Sequence, residues 1–243
     1  VLIHGATSGR YSGYITMIGS NKATADDGFQ IPADAGETIT VSGEIVFLTS
    51  QDEGVDITGG GTVLLTGDSA YDDPTTVRGA TLGGDGTIAD TATFNGTAIH
   101  SPGVDNVGVQ TFSNINYEAG STVIWQLGAN SADRGTGYAA IDVNGDLDFD
   151  LTTTLELEFA DGASAVDWSD SFWHGSKQWL LWDVAGATTD TNALSLTVSN
   201  WEDSNGALFD SVREDSDFSL SVSGDDIYLN YNAPPLGTMV SIK

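Results

Sequence analysis

The stretch GATLGGDGTIADTATFNGTAIHSPG, residues 79 to 103, sets the tightest limit on what this chain can fold into. Apolar and polar residues alternate there over short runs, and glycine interrupts each run before a helix could establish itself. Alternation of this kind sends every second side chain to one face of a strand. Glycine or asparagine then serves the corners, where the backbone takes positive φ. On this reading Leu82, Ile88, Phe94 and Ile99 point inward and the threonines and aspartates face solvent. Gly83-Gly84-Asp85-Gly86 is a corner rather than a phosphate-gripping loop, which needs a following helix N-terminus and usually a lysine.

The same rhythm extends both ways. ETITVSGEIVFLTS reads as a strand, a Ser42-Gly43 turn and a second strand. Further strands are expected around Val63 to Leu65, Thr76 to Val77 and Thr87 to Ile88. Equivalent alternations recur at intervals of roughly 20 residues, the range of repeat architectures. From about residue 109 the strands lengthen, and Val143-Asn144-Gly145-Asp146 and Gly224-Asp225 both carry two-residue hairpin signals. Only 210 to 218 and 167 to 177 offer a helical turn each. The fold expected is all-β: a short right-handed parallel β-helix continuing into a C-terminal region of longer strands and hairpins. Residues 1–35 form an N-terminal segment that caps the stack or is donated as a strand to another subunit. Residues 36–233 form the β-helix and its β-rich C-terminal part, with a boundary near 109, and 234–243 form a tail.

Composition narrows the function. The chain has 35 Asp plus Glu against seven Lys plus Arg, a formal net charge of −28. Nucleic acid binding needs cations that displace counterions, so no nucleic acid partner is expected. No apolar run reaches the ~18 residues of a membrane span, so membrane insertion is not expected. With no cysteine there is no disulfide, thiolate metal site or cysteine nucleophile. The chain opens directly on VLIHGATSG, without the basic segment or apolar core of a signal peptide, as expected either of a mature chain or of a piece cut from a longer one.

Residues 57 to 233 carry a resemblance. GGGTVLLTGDSAYDDPTTVRGATLGGDGTI resembles the autotransporter-associated β-strand repeat, with its Gly-Thr-Leu strand, Thr-Gly…Tyr turn and Thr-Thr-Val strand. FNGTAIHSPGVDNVGVQTFSNINYEAGSTVIWQLG is similar to the segment that ends such arrays. FSLSVSGDDIYLNYNAPP resembles the end of the ectodomain in bacterial surface proteins with Pro-Glu-Pro sorting tails. The resemblance implies a right-handed parallel β-helix in an exported bacterial surface or matrix protein. Only one good copy of the repeat is legible.

Candidate sites are few. Asp142, Asn144 and Asp146 stand at the first three alternate ligand positions of a calcium loop, with Asp148 beside them. The match then breaks, since glycine comes too early and Thr153 stands where the bidentate glutamate belongs. Calcium is therefore the one candidate cofactor, set against a solvated acidic face. DSAYDDP at 68 to 74 and DDG at 26 to 28 are weaker candidates of the same kind. Four of the six tryptophans fall between Trp168 and Trp182, either a core plug or a surface on which a sugar stacks. His4, His100 and His174 lack a recognisable catalytic partner, and His100, beside Ser101-Pro102-Gly103, reads as a turn residue. No catalytic residue is expected. The reading is a non-catalytic extracellular structural protein of a bacterial surface or biofilm matrix, self-associating head to tail into filaments. The alternatives are a monomeric adhesin or stalk domain that binds a glycan or a partner protein, and an enzyme that degrades acidic polysaccharides.

Overall fold

The computed structural model describes residues 9–11, 15–17, 29–47, 54–71, 73–150, 152–160, 162–197 and 201–234. Most of the 1–19 segment, the DDG at 26–28 and the tail beyond 234 lie outside them.

The chain advances in turns of two or three short strands. β1 (Gly9–Tyr11) and β2 (Ile15–Met17) come first, then β3 (Phe29–Ala33), β4 (Thr38–Val41) and β5 (Ile45–Phe47). β6 (Val55–Gly59), β7 (Thr62–Leu65) and β8 (Asp68–Ser69) repeat that course, followed by β9 (Thr75–Arg78) and β10 (Thr81–Gly84). β11 (Thr87–Asn95), β12 (Ile99–Pro102), β13 (Gly108–Tyr117) and β14 (Thr122–Gln126) carry it on. β15 (Ala139–Val143), β16 (Leu147–Phe149) and β17 (Thr153–Glu158) form the next turn, before β18 (Lys177–Val184), β19 (Thr188–Thr189) and β20 (Leu194–Leu196). One helical turn, α1 (Phe209–Val212), precedes β21 (Asp217–Ser223) and β22 (Asp226–Asn232).

Strands of successive turns lie side by side and parallel, the arrangement of a β-helix-like coil stack. The eight-stranded sheet runs β1-β4-β7-β10-β12-β14-β17-β20. The twelve-stranded sheet runs β21-β22-β18-β15-β13-β11-β9-β6-β3, with β8, β16 and β19 attached. It is large because β11 and β13 each bend through a corner. Ile88 of β11 pairs with Phe112 before the register shift, and Ala92 to Phe94 pair with Ile115 to Tyr117 after it. β2 and β5 form a separate parallel pair, so both N-terminal strands pair within their own chain. β3 belongs to the stack through β6, although it lies inside the 1–35 segment that the sequence set apart. The ladders also run unbroken across residue 109, through the middle of β13.

Along the eight-stranded sheet Thr38 pairs with Thr62, Thr62 with Thr81, Thr81 with Ile99, Ile99 with Thr122, and Thr122 with Thr154. Successive turns thus take 24, 19, 18, 23 and 32 residues. A further turn, from Thr153 to Leu194, takes 41. The stack therefore continues far past the single legible repeat, and variable turn length hides the rest.

The interior follows from the same register. Ile39, Val63, Leu82, His100, Val123 and Leu155 form one inward column. Phe94, Tyr117 and Phe149 form another, with ring centroids 5.1 and 5.3 Å apart. Each fully buried aliphatic or aromatic side chain contributes about 1.5–3 kcal/mol of transfer free energy. Leu82, Ile88 and Phe94 are inward as the alternation requires. Ile99 is not. It is half-buried in the outward column of Thr38, Thr62, Thr81 and Thr122, and His100 takes the inward place.

The Gly83–Gly86 segment is a corner, with no helix after it. Gly84 has φ 117°, and a Cβ there would lie 2.0 Å from the carbonyl oxygen of Leu65 in the preceding turn. Gly224 closes a true antiparallel hairpin, in which Ser223 pairs with Asp226. Asn144-Gly145 does not. β15 pairs with β13 and β18, while β16 pairs with β13 and β19, so residues 144–146 turn a corner between parallel ladders. The dipeptide specifies a tight turn; which strands pair across it depends on neighbours more than 25 residues away. Parallel pairing ends at β18, where β22 adds antiparallel and β21 forms the outer edge. The two expected helical turns are present, one α-helical at Phe209–Val212 and one 3-10 at Ser171–His174.

Candidate functional site

His100 is the chemically distinctive residue of the interior, because its column is otherwise aliphatic. Leu82 lies on one side and Val123 on the other. The imidazole stacks on Phe94 at 4.6 Å and meets Phe112 edge-on at 5.3 Å. It is fully buried, on a strand, so it is not the turn residue that its Ser-Pro-Gly neighbours suggest.

Its two ring nitrogens have different partners, and the chain of bonds fixes the tautomer. The Gln110 side-chain amide donates to the carbonyl of Gly83 at 3.2 Å, which leaves Gln110 Oε1 as an acceptor. His100 Nε2 lies 3.0 Å from that oxygen and therefore carries the proton. Nδ1 is then the acceptor, 2.6 Å from the Tyr117 hydroxyl, which donates to it. Tyr117 accepts in turn from the indole N–H of Trp182 at 3.4 Å. Five groups are satisfied in one direction, provided that the imidazole is neutral. Burial pushes the His100 pKa down from 6.5 to about 4, partly offset by the bond to Gln110. Burial likewise raises the Tyr117 hydroxyl. A base sealed in this way has no path to a substrate; what it can do is hold one register. A slip of one residue would bury Ile99 and strand Gln110 and Tyr117 without their partner.

The proposed calcium ligands fall on three different parts of the stack. Asp142 faces outward from β15 and is paired with Arg134 at 2.6 Å. Asn144 is exposed at the corner, where its backbone N–H donates to the carbonyl of Phe112. Asp146 Oδ1 accepts from the backbone of Ala187 at 2.9 Å, just as Asn114 Oδ1 accepts from the backbone of Asp146. Asp148 accepts from the hydroxyl of Thr189. Thr153 is fully buried on β17. Among the described residues no group of three or more His, Asp or Glu side chains is arranged to hold a metal ion. Asn114 and Asp146 act instead as a side-chain ladder that joins three successive corners.

Trp168, Trp173, Trp179 and Trp182 are all fully buried, so they form a plug and offer no ring face for a sugar. Their indole N–H groups are accounted for inside the protein. Trp168 donates to the carbonyl of Trp201, Trp173 to Asn130 Oδ1, and Trp179 to the carbonyl of Ser131. Trp125 and Phe159 join them, at 5.6 Å from Trp179 and 4.8 Å from Trp168 respectively. The cluster binds the insertions at 128–138 and 159–176 to the β21–β22 hairpin through Phe218 and Tyr231. These insertions lengthen the late turns.

Two features were missed by residue pattern alone. Asp203 is almost fully buried and accepts backbone bonds from Trp168, Asn205 and Ala207, each at 2.9 Å, so it folds the segment after β20. Nothing in its local sequence marks it. The inward place of His100 was legible in principle, because the 18-residue register that aligns Thr81 with Ile99 also aligns Leu82 with His100.

No protein-family model matches the chain, and no curated protein matches it.

Proposed function

We propose that this chain is a non-catalytic structural protein of a bacterial surface or matrix that continues end to end with further copies of itself. The observation that carries this reading is the polarity of the eight-stranded sheet. Among the described residues it is parallel throughout, and its end strands are β1 and β20. End strands present unpaired backbone groups, and a strand of matching polarity from another copy can extend the ladder. Such head-to-tail contacts do not close and so give filaments.

Supporting the non-catalytic part, the described cationic side chains are engaged. Arg78 pairs with Asp56 and Arg134 with Asp142, while Arg213 donates to the carbonyls of Trp168 and Asp170. Lys177 sits over the Phe172 ring at 4.7 Å. The surface or matrix setting rests on the resemblance carried by residues 57 to 233.

The test uses the alternation of β20. The N–H of Thr197 donates back to the carbonyl of Leu155 at 2.9 Å, so the N–H of Leu196 points the other way, along the stack. Leu196→Pro removes that outward donor and leaves the inner ladder intact. Negative-stain microscopy of the purified chain, with and without calcium, is expected to show filaments that the variant no longer forms. A wild-type chain that stays monomeric at every concentration in both conditions would overturn the self-association.

A further inference from the structure

We infer that the outer surface of the eight-stranded sheet is a groove for a neutral linear polysaccharide laid along the coil stack. β4, β7, β10, β12 and β14 are successive strands of that sheet and contain no Asp, Glu, Lys or Arg, in a chain of net charge −28. Charge returns on the two flanking strands, at Arg10 of β1 and at Glu156 and Glu158 of β17. The acidic residues of the opposite sheet, such as Asp56 and Asp148, have no counterpart on these five strands.

The surface over these five strands is concave. An open groove of about 360 Å³ has Thr38, Thr62 and Thr81 along its floor, and the loop Val104-Asp105-Asn106 lines one side, where Asp105 is its one charged residue. The hydroxyls repeat at the strand spacing of about 4.8 Å, on the scale of one sugar ring. Gly83 keeps the floor low. A Cβ there would lie 2.5 Å from the carbonyl of Ser101 and 3.0 Å from the Leu64 side chain. At the far end Ser101 donates to Gln126 Oε1, and the Gln126 amide donates to Glu158, which fixes the amide in place.

The chemistry selects the occupant. A polyanion is repelled by the rest of the molecule, and a polycation is drawn to the acidic faces instead. The hydroxyls of Thr62 and Thr81 can exchange hydrogen bonds with water for equivalent bonds with sugar hydroxyls. The volume lies in the range of small-molecule sites, enough for a few sugar units of a longer strand. A second copy does not fit, since two concave faces on two polyanions neither mesh nor attract. The groove lies wholly within one chain, so this inference is independent of end-to-end association.

The test is native polyacrylamide electrophoresis of the full chain in gels containing laminarin, glucomannan or agarose, with alginate as the charged control. At least one neutral polymer is expected to retard the wild type, and alginate is not. Thr62→Arg/Thr81→Arg fills the floor and should weaken retardation at least tenfold. Thr76→Arg/Thr93→Arg makes the same charge change on the outer face of the other sheet and should not. Thr62→Ala/Thr81→Ala removes the hydroxyls without adding bulk and should also weaken it, which decides the matter if the arginine variant does not fold. Retardation by none of the three neutral polymers, equal retardation by alginate, or equal loss in the groove and control variants would each overturn the inference.

Discussion

Tyr117 donates its hydroxyl proton to Nδ1 of His100 across 2.6 Å, inside a column that is otherwise aliphatic. This bond ties β13 to β12 across the interior, between the two large sheets. It holds only while the imidazole is neutral. A protonated ring would turn Nδ1 into a donor facing a hydroxyl that already accepts from Trp182.

Stability should therefore fall on mild acidification. The folded His100 pKa of about 4 lies below the ordinary value of 6.5, so the unfolded chain takes up the proton first. The stabilising difference is complete above pH 6.5 and is lost as pH falls toward 4. Between pH 7 and pH 5 the loss from this residue is about 2 kcal/mol, at about 1.4 kcal/mol per unit below 6.5. Urea unfolding at the two pH values should show that drop in the wild type and a flatter dependence in His100→Gln. Identical slopes would refute the assignment.

Tyr117→Phe should cost about 1–3 kcal/mol, since it leaves Nδ1 of His100 and the Trp182 indole N–H buried without partners. Combined with His100→Gln, the two losses should fall short of additivity in a double-mutant cycle, because the residues share one network. Additive losses would mean that the bonds are not coupled.

Gly145→Ala should destabilise by about 1–3 kcal/mol through overpacking. Its Cβ would lie 2.4 Å from Asn114 Oδ1 and 2.7 Å from the carbonyl of Ser113, in the turn below. Gly162→Ala is the control, because nothing stands within 4 Å of the added carbon. The difference between their denaturation midpoints measures how closely the corners stack.

Trp173→Ala should cost about 3–5 kcal/mol, as expected for removing a fully buried large aromatic. The loss should appear in thermal unfolding and should be similar with or without added sugars. A variant of unchanged stability that loses glycan binding would instead restore a stacking role for this tryptophan.

The residue pattern by itself determined that the chain is β-rich, that glycines serve corners, and that Leu82, Ile88 and Phe94 point inward. These are local properties, set by side-chain alternation and by backbone sterics within a few residues. Tertiary structure decided what depends on distant partners. Asn144-Gly145 suits a hairpin or a corner equally, and only the ladders with β13, β18 and β19 select the corner. Ile99 and His100 differ by one place, and a pleated strand exchanges its faces with a one-residue shift. The imidazole goes inside because Tyr117 and Gln110 meet it there, 17 and 10 residues further along the chain. The groove has the same origin: no single strand shows it, and it exists only where five strands without charged residues are stacked in register.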